Sequence, residues 1–362
     1  MNVRIPAAAC LVAGAVLVTP GLAQAKTKTV SLGPTKAASK QIQKAGPVDV
    51  NDFFPHGVTI RVGDKVKFAP NGFHNVDLPA RGDDPTSLLA PTGTAVTGVN
   101  DAAGSPFWFN GLPNVGVNPA LVTTQNFGKR LSYDGKKGVQ SGLPLGPPKP
   151  MTVTFKKKGK YTYYCDVHTG MKGVVTVKRK KAKVPSRKAD KKALKKQIAR
   201  SVKTAKTLAS AKQPANTVDI GVAGRHGEEL FAFAPSTLMV PVGTTVKFRM
   251  SAGSYEIHTA TAGPGDPSDS KTPSYLREIA ASFEGGPQVD PRGVYASEPN
   301  GSPAATLTPA LHGNGFWNSG VLDASSATPQ LAGENSVTFG APGKYDFWCL
   351  IHPFMRGTVT VQ

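Results

Sequence analysis

The chain has 362 residues, including 39 Gly and 31 Pro; 39% of the residues are apolar and the formal net charge is +20. This length exceeds what one small domain needs and suits two, and the many turn residues favour an all-β protein over a helical one. The charge is uneven, with a net +10 over 26–177, +14 over 178–213 and −5 over 214–362. No basic motif with interleaved aromatics occurs, so we do not expect nucleic acid as a partner.

Residues 1–25 have the features of a secretory signal peptide. Arg4 gives a positive start, Ala7–Val18 is apolar, and Ala23-Gln24-Ala25 is a small-residue cleavage site. The apolar run is shorter than the roughly 18 residues of a membrane span, and an uncleaved anchor is the alternative. We therefore expect an exported protein, periplasmic, extracellular or on the cell surface, whose mature chain begins at Lys26 and has no transmembrane span.

The mature sequence repeats itself once. Val62–Phe68 resembles Val242–Phe248, and Tyr161–Cys165 resembles Tyr345–Cys349. Two long copies indicate two domains rather than a solenoid. The predicted organisation is an N-terminal extension over 26–44, a first domain over 45–177, a basic linker over 178–213 and a second domain over 214–362.

Short segments rich in Val, Thr, Tyr and Phe predict β-strands in the first copy. These segments are 58–60, 65–68, 151–155, 161–165 and 174–177. The period of two places Tyr161, Tyr163 and Cys165 on one face of their strand. Each copy therefore ends a strand with an inward-facing cysteine above two aromatics.

The predicted linker is rich in Lys and Ala, and Leu194, Ile198, Val202 and Ala205 recur at helical spacing. This pattern predicts an exposed tether that is partly helical or partly disordered. Its charge has two interpretations. It serves solubility and spacing, or it docks the protein to an acidic surface such as cell-wall polymer, lipid headgroups or the acidic second domain.

Both copies contain the motif Cys-x-x-His-x-x-Met, and in both a further histidine precedes the cysteine by 91 residues. Two imidazoles, a thiolate and a weak axial thioether are the donor set of a type 1, or blue, copper site. Zinc is the competing metal, but methionine is not among its usual ligands. We predict one copper per domain, cycling between Cu(I) and Cu(II), with the ligands His74, Cys165, His168 and Met171 in the first and His258, Cys349, His352 and Met355 in the second.

Both copies resemble cupredoxins of the plastocyanin/amicyanin group. The two residues between His and Met match the compact amicyanin-like loop, and His352–Gly357 is especially similar to amicyanin. The resemblance covers 45–75, 141–177, 218–260 and 316–362. It implies two Greek-key β-sandwich or barrel domains with copper near one end of each.

The resemblance also assigns a role to the residue that follows the first histidine. In many cupredoxins this residue is an asparagine whose side chain bonds to the opposing ligand loop. Asn75 matches and Thr259 does not. Because hydrogen bonds around the ligands tune a metal, we expect the two coppers to differ in reduction potential.

Both halves are longer than small cupredoxins between the upstream histidine and the cysteine. Pro106–Gly111 and Gly315–Gly320 lie in or beside these inserts, the second of which runs from about 263 to 315. The inserts cover the copper end, form a docking face or are surface embellishment with a small core of their own. His56, His226 and His312 are interpreted as surface histidines, with a second type of metal site as the alternative.

The sequence favours an electron carrier over an enzyme. Multicopper oxidases and copper nitrite reductases couple copper sites through a histidine next to the ligand cysteine, and no such histidine flanks Cys165 or Cys349. Copper storage or delivery, and a two-domain copper oxidoreductase, are the alternatives. We expect unidentified redox proteins as donor and acceptor, which exchange electrons through an exposed His168 or His352. The aromatics next to the cysteines, Tyr164 and Trp348, are further candidate exits.

Overall fold

The computed structural model describes residues 25–208, 210–285, 288–324 and 332–362. The predicted signal peptide, except for Ala25, lies outside these residues. The described part is mainly strand, as the composition predicts, and its helices are few. In this part no helix is both long enough and apolar enough to cross a membrane.

The first half is built from short strands with two brief helices. In chain order these are β1 (Thr27–Leu32), α1 (Lys36–Gln43), β2 (Asp49–Val50), β3 (Phe53–Phe54), β4 (Gly57–Arg61), β5 (Lys65–Pro70), β6 (Asp77–Leu78), β7 (Leu89–Ala95), β8 (Pro113–Val117), α2 (Pro119–Thr123), β9 (Arg130–Tyr133), β10 (Val139–Gln140), β11 (Met151–Phe155), β12 (Gly159–Tyr164) and β13 (Lys172–Lys178).

The second half follows a long helix and has a similar run of strands. Its elements are α3 (Arg187–Leu208), β14 (Thr217–Ala223), β15 (Glu228–Ala234), β16 (Thr237–Val240), β17 (Thr245–Met250), β18 (Ile257–His258), β19 (Thr261–Ala262), α4 (Tyr275–Ala281), a 3-10 turn (Ser282–Glu284), α5 (Pro291–Val294), β20 (Ala305–Leu307), a 3-10 turn (Leu311–Gly313), β21 (Trp317–Asn318), β22 (Leu322–Asp323), β23 (Glu334–Phe339), β24 (Gly343–Trp348) and β25 (Arg356–Val361).

Each half contains two larger sheets and one two-stranded sheet (β7-β8 in the first half, β18-β22 in the second), and the strand order of the larger sheets repeats between the halves. The first half has the orders β3-β1-β5-β11-β9 and β10-β6-β12-β13-β4. The second has β15-β14-β17-β23-β20 and β16-β25-β24-β19-β21, the latter being the same order read from the other edge. The sequence repeat is therefore a repeat of strand pairing.

The first sheet begins earlier than predicted. Strand β1 lies within the predicted extension 26–44, yet it pairs in parallel with β5 from Thr27 to Leu32. Its counterpart β14 pairs in parallel with β17. Polar and apolar residues alternate only over Thr29–Leu32, and this pattern is too short to predict a strand from the sequence alone.

Buried apolar side chains fill the space between the two sheets of each half. Strand β11 forms where a strand was predicted, and its residues Met151, Val153 and Phe155 are all 0% exposed. This is the period-two pattern of a strand with one buried face. The equivalent strand β23 places Val337 and Phe339 in the second core.

The predicted linker is a packed helix rather than an exposed tether. Its Ser201 and Ala205 are buried, and the helix packs on α1 and on β15. Strand β2 of the first half adds to the edge of β15 in the second. The lysines of α3 lie on the outer face, so only that face is free to act as a basic surface.

The two inserts pack against each other. Phe107 and Phe109 stack at 4.9 Å between ring centroids, and Phe107 meets Phe316 of the second half edge-on at 6.1 Å. Trp108 Nε1 donates to the carbonyl of Ala296 at 2.9 Å. The inserts therefore build a joint core that fixes the two halves relative to each other.

Candidate metal centres

The first centre lies where β12 ends and the chain turns into β13. Cys165 follows β12 directly, and His168 and Met171 lie in the turn. The turn is closed by two backbone bonds, from the amide of Met171 to the carbonyl of His168 (2.8 Å) and from the amide of Cys165 to the carbonyl of Met171 (3.0 Å). His74 arrives from the loop after β5. The strand pairing thus brings together residues 91 positions apart.

The three strong donors of this centre form a compact triangle. Cys165 Sγ lies 3.4 Å from His168 Nδ1 and 3.9 Å from His74 Nδ1. The two Nδ1 atoms are 2.9 Å apart. All three side chains and Met171 are buried.

The second centre repeats this arrangement between β24 and β25. Cys349 Sγ lies 3.7 Å from His258 Nδ1 and 3.8 Å from His352 Nδ1, and the two nitrogens are 3.1 Å apart. The amide of Met355 donates to the carbonyl of His352 (2.8 Å), and that of Cys349 donates to Met355 (3.1 Å). Met355 is 1% exposed.

In both triangles the sulfur–nitrogen distances are near those expected around one metal ion, and the two nitrogens lie closer together than an even spread would place them. Two nitrogens at about 2.0 Å and a sulfur at about 2.3 Å from an ion, spread evenly in a plane, would lie about 3.5–3.8 Å apart. The donor atoms of each group all lie within 4.8 Å of one another, and among the described residues these are the two clusters of this kind. The donor set of two nitrogens and one sulfur, with a nearby buried methionine, fits copper.

A glycine with positive φ lies against each upstream histidine. A Cβ on Gly33 (φ +95°) would lie 3.0 Å from the His74 ring and 2.7 Å from the carbonyl of Asn71. A Cβ on Gly221 (φ +75°) would lie 2.8 Å from His258 Nε2. Sequence reasoning missed both glycines, because their proximity to the histidines follows from the β1–β5 and β14–β17 pairings.

The residues after the upstream histidines tie the two ligand segments together. Asn75 Oδ1 accepts from the amide of Asp166 at 2.7 Å, and its amide group donates to the Asp166 carboxylate at 2.6 Å. In the second half Thr259 Oγ1 accepts from the amide of Leu350 at 2.8 Å. Threonine therefore keeps the backbone bond of the asparagine, but its other bond is to the Thr261 hydroxyl (3.1 Å) and not to the residue after the cysteine.

Comparison with known proteins finds one family match, in the first half. Residues 114–178, which contain Cys165, His168 and Met171, match the family described as copper binding proteins, plastocyanin/azurin family. This segment is similar to that family. No curated protein matches the chain.

Two solved structures are similar to less than half of the chain. A copper(I) form of an amicyanin variant is 18% identical over 43% of this chain and 89% of its own, with a TM-score of 0.21. Oxidized plastocyanin from Dryopteris crassirhizoma is 18% identical over 40% of this chain and 99% of its own, with a TM-score of 0.20.

A buried carboxylate contacts one histidine of each candidate centre. Glu256 Oε1, from the second half, lies 3.1 Å from His168 Nε2 of the first. Glu229 Oε1 lies 3.1 Å from His258 Nε2 within the second half. A carboxylate behind a ligand histidine fixes the ring tautomer and orientation, so both rings are held with Nδ1 toward the cysteine.

The electrostatics of the clusters favour thiolates. Burial would raise the pKa of Cys165, but the nearby His168 and His74 rings lower it to about 5. The same competition, between burial and the bonds from His258 and His352, lowers the pKa of Cys349 well below its usual value. Burial would also raise the pKa of Glu256, but His168, His352 and His258 bring it down to about 2. The carboxylate is therefore charged beside both centres.

The ligand loop of the first centre is covered by the second half. A Cβ on Gly170 would lie 1.9 Å from the Tyr255 ring, and Thr169 Oγ1 contacts both carboxylate oxygens of Asp323 at 3.3 Å. The equivalent position in the second loop is Phe354, which is 68% exposed. The prediction that His168 is exposed is therefore wrong: it is 7% exposed. His352 is partly exposed, next to Phe354.

A cavity of about 880 Å³ lies between the halves and reaches both centres. Both loop histidines and Glu256 line it, together with mainly apolar side chains such as Leu143 and Ile257. Sequence reasoning missed Glu256 and Glu229. Neither glutamate has a local sequence signal, because each meets its histidine only in the folded chain.

The remaining sequence candidates lie in varied surroundings. Tyr164 is half-buried, whereas Trp348 is 8% exposed and packs in the joint core of the inserts. His56 pairs with Asp52 and His226 is exposed, as expected of surface residues. His312 differs, because it is enclosed between Asp101 and Glu298, 3.1 and 3.2 Å away, and links the inserts.

Proposed function

We propose that this protein is an exported electron carrier with two cupredoxin domains, each binding one type 1 copper. The observation that carries the proposal is the pair of buried triangles, each made of two histidines and a cysteine with a methionine three residues beyond the second histidine. This donor set, including the weak thioether, is specific to electron-transfer copper. The repeated strand order supports two Greek-key domains, joined by the basic helix α3.

The protein's own groups prepare each centre for a metal. The lowered pKa values of Cys165 and Cys349 supply thiolates at neutral pH. Buried carboxylates orient His168 and His258, and backbone bonds close each ligand loop. Copper, when bound, would gain and lose one electron. Because the ligands are held by packed strands on several sides, they would move little when it does so.

The surroundings of the triangles favour transport over catalysis. The cysteine neighbours Tyr164, Asp166, Trp348 and Leu350 offer no imidazole that would connect a second, catalytic copper. Burial of the thiolates also favours retention over delivery to another protein. Copper storage or delivery and a two-domain copper oxidoreductase remain the alternatives to test.

Metal analysis of the mature chain with its visible and electron paramagnetic resonance spectra tests the proposal. We expect two coppers per chain and an intense blue colour that bleaches with ascorbate and returns with a one-electron oxidant. A colourless protein that prefers zinc would overturn the proposal. Tight Cu(I) binding with poor reversibility would point to storage, and oxygen consumption with a phenolic substrate would point to an oxidase.

Export and partners are part of the proposal. We expect cleavage after Ala25 and redox proteins as donor and acceptor. The outer lysines of α3 form a basic face that would suit an acidic surface. N-terminal sequencing of the secreted protein tests the cleavage site. Binding to anionic vesicles tests the basic face, when the unmodified chain is compared with a variant that carries Lys191→Gln, Lys192→Gln and Lys195→Gln.

A further inference from the structure

The loop histidine of the first centre does not reach the protein surface. His168 Nε2 contacts Glu256, which is 4% exposed and belongs to the second half. Asn51 of the first half donates to the same oxygen of Glu256 at 2.6 Å. The Tyr255 ring packs over Gly170 beside it. A protein partner on the outer surface of the chain therefore does not contact His168, which faces only the cavity between the halves.

The residue that covers His168 is joined by the backbone to a ligand of the second centre. Glu256 and His258 are separated by one residue, and both are buried. The route from one ligand set to the other thus needs one contact of 3.1 Å, followed by covalent bonds from Glu256 to His258.

A second branch of hydrogen bonds runs beside this route. The amide of Glu256 donates to Ser254 Oγ at 3.1 Å, and the Ser254 hydroxyl lies 2.8 Å from both carboxylate oxygens of Glu229. Glu229 in turn contacts His258 Nε2 at 3.1 Å. All of these side chains are 4% exposed or less. Satisfied buried polar networks of this kind are rigid.

We propose that Glu256 is a positioning residue that joins the two centres into one electron-exchanging unit, in which the path His168–Glu256–His258 carries electrons to and from the first centre. The partly exposed His352, beside the exposed Phe354, is then the outer port. This inference rests on the proposed function and adds a direction to it: external partners meet the second half, and the first centre is filled from within.

The electron balance is simple. A one-electron protein donor is oxidised once as the second centre goes from Cu(II) to Cu(I). The second centre then returns to Cu(II) as the first becomes Cu(I). No bond forms or breaks, and the proton on His168 Nε2 stays between the ring and the Glu256 carboxylate.

The first experiment measures access with single-centre proteins. Cys349→Ser leaves only the first centre and Cys165→Ser only the second. Stopped-flow reduction by reduced cytochrome c is measured in 1 M salt. At this concentration the Debye length is about 3 Å, so attraction between the net charges of the two proteins does not determine the rate. We expect the first centre to be reduced at least tenfold more slowly than the second. Equal rates would overturn the inference.

The second experiment measures transfer within the intact, copper-loaded chain. As the concentration of cytochrome c is raised, the rate at which the first centre is reduced should become independent of that concentration, because transfer from the second centre then limits it. Glu256→Leu should slow this step at least tenfold, Glu256→Gln should keep it within threefold, and Glu334→Gln, at an exposed site, should leave it unchanged. Filling that stays proportional to cytochrome c concentration in the unmodified chain would refute the path, even if Glu256→Leu fails to fold.

Two readouts separate positioning from general stability. In the Cu(I) form, nuclear magnetic resonance should show a slowly exchanging proton on His168 Nε2, whose exchange accelerates at least tenfold in Glu256→Leu. Glu256→Gln removes a negative charge that favours Cu(II), so it should shift the first centre toward reduction by up to tenfold, or about 59 mV for one electron. An unchanged exchange rate of this proton in Glu256→Leu, together with an unchanged reduction potential in Glu256→Gln, would contradict the role of Glu256. If the chain binds no copper, the proposed function itself fails instead.

Discussion

The two halves share a triangle of two histidines and a cysteine, but differ in the side chains that contact its histidines and cover its loop. In the first half the carboxylate that contacts a ligand comes from the other half and holds the loop histidine, His168. In the second half the carboxylate is internal and holds the upstream histidine, His258. At the same motif position, Gly170 admits a ring from the other half, whereas Phe354 faces solvent. The comparison shows that a repeat can conserve a metal site while its tertiary contacts divide the roles of the two copies.

Removal of either cysteine is the strongest test of the shared triangle. Cys165→Ser and Cys349→Ser each replace the thiolate, which no other described side chain near either triangle could supply. We expect each variant to bind one copper instead of two and to lose about half of the blue absorbance, while the double variant is colourless. Loss of both coppers in a single variant would show that the halves do not hold metal separately.

The joint core of the inserts tests whether the halves behave as one body. Phe107 is 4% exposed and contacts Phe109, His312 and Phe316. Phe107→Ala should lower the free energy of unfolding by about 3–5 kcal/mol, as expected for a buried phenylalanine. Denaturant unfolding measures this loss.

The control for this core is Phe73→Ala, because Phe73 is 54% exposed. Its effect should stay within about 0.5 kcal/mol. We also expect the unmodified chain to unfold in one transition. Two separate transitions, with Phe107→Ala affecting neither, would contradict a joint core.

Loss of the hydrogen bonds made by Asn75 and Thr259 should lower the free energy of unfolding by smaller and unequal amounts. Asn75→Ala removes two bonds and leaves the buried Asp166 carboxylate and amide without them, at a cost of about 1–3 kcal/mol. Thr259→Ala removes the bonds of one hydroxyl, to the amide of Leu350 and to the Thr261 hydroxyl, and leaves no buried carboxyl group without a donor, so it should cost about 1 kcal/mol. Thermal unfolding of the copper-free variants measures both. A larger loss at Thr259 would contradict this order.

The potentials of the two centres sharpen the comparison further. The single-centre variants Cys349→Ser and Cys165→Ser should have different reduction potentials, because the bonds around Asn75 and Thr259 differ and the carboxylates contact different histidines. Exchange of the two residues, Asn75→Thr with Thr259→Asn, should narrow the difference. Spectroelectrochemical titration measures it, and equal potentials in the unexchanged proteins would refute the expectation.

Much of the site could be predicted because it is encoded in short motifs. The motif from Cys165 to Met171 fixes three donors in one turn, and the copy from Cys349 to Met355 does the same. The Val, Thr and Phe content of Met151–Phe155 predicts a strand, which is what β11 forms. The sequence alone places β1 in an extension, because its partner β5 lies more than thirty residues away and leaves no local signal.

The contacts between the halves could not be predicted in the same way. Nothing near Glu256 in the sequence indicates that it meets His168, and the spacing of Leu194, Ile198 and Val202 predicts a helix but not the surface on which it packs. Whether His168 is exposed depends on residues that follow it by almost ninety positions. Such contacts arise only when separate strands and helices are packed together.

The sequence by itself determined the donor types, their spacing, the repeat and the β-rich character, because these depend on residue chemistry and on local backbone periodicity. The tertiary structure alone decided which histidine is covered, which carboxylate holds it, and how the inserts and α3 fix one half against the other. The physical reason is that burial and electrostatic environment depend on distances between segments far apart in the chain, and those distances exist only in the folded molecule.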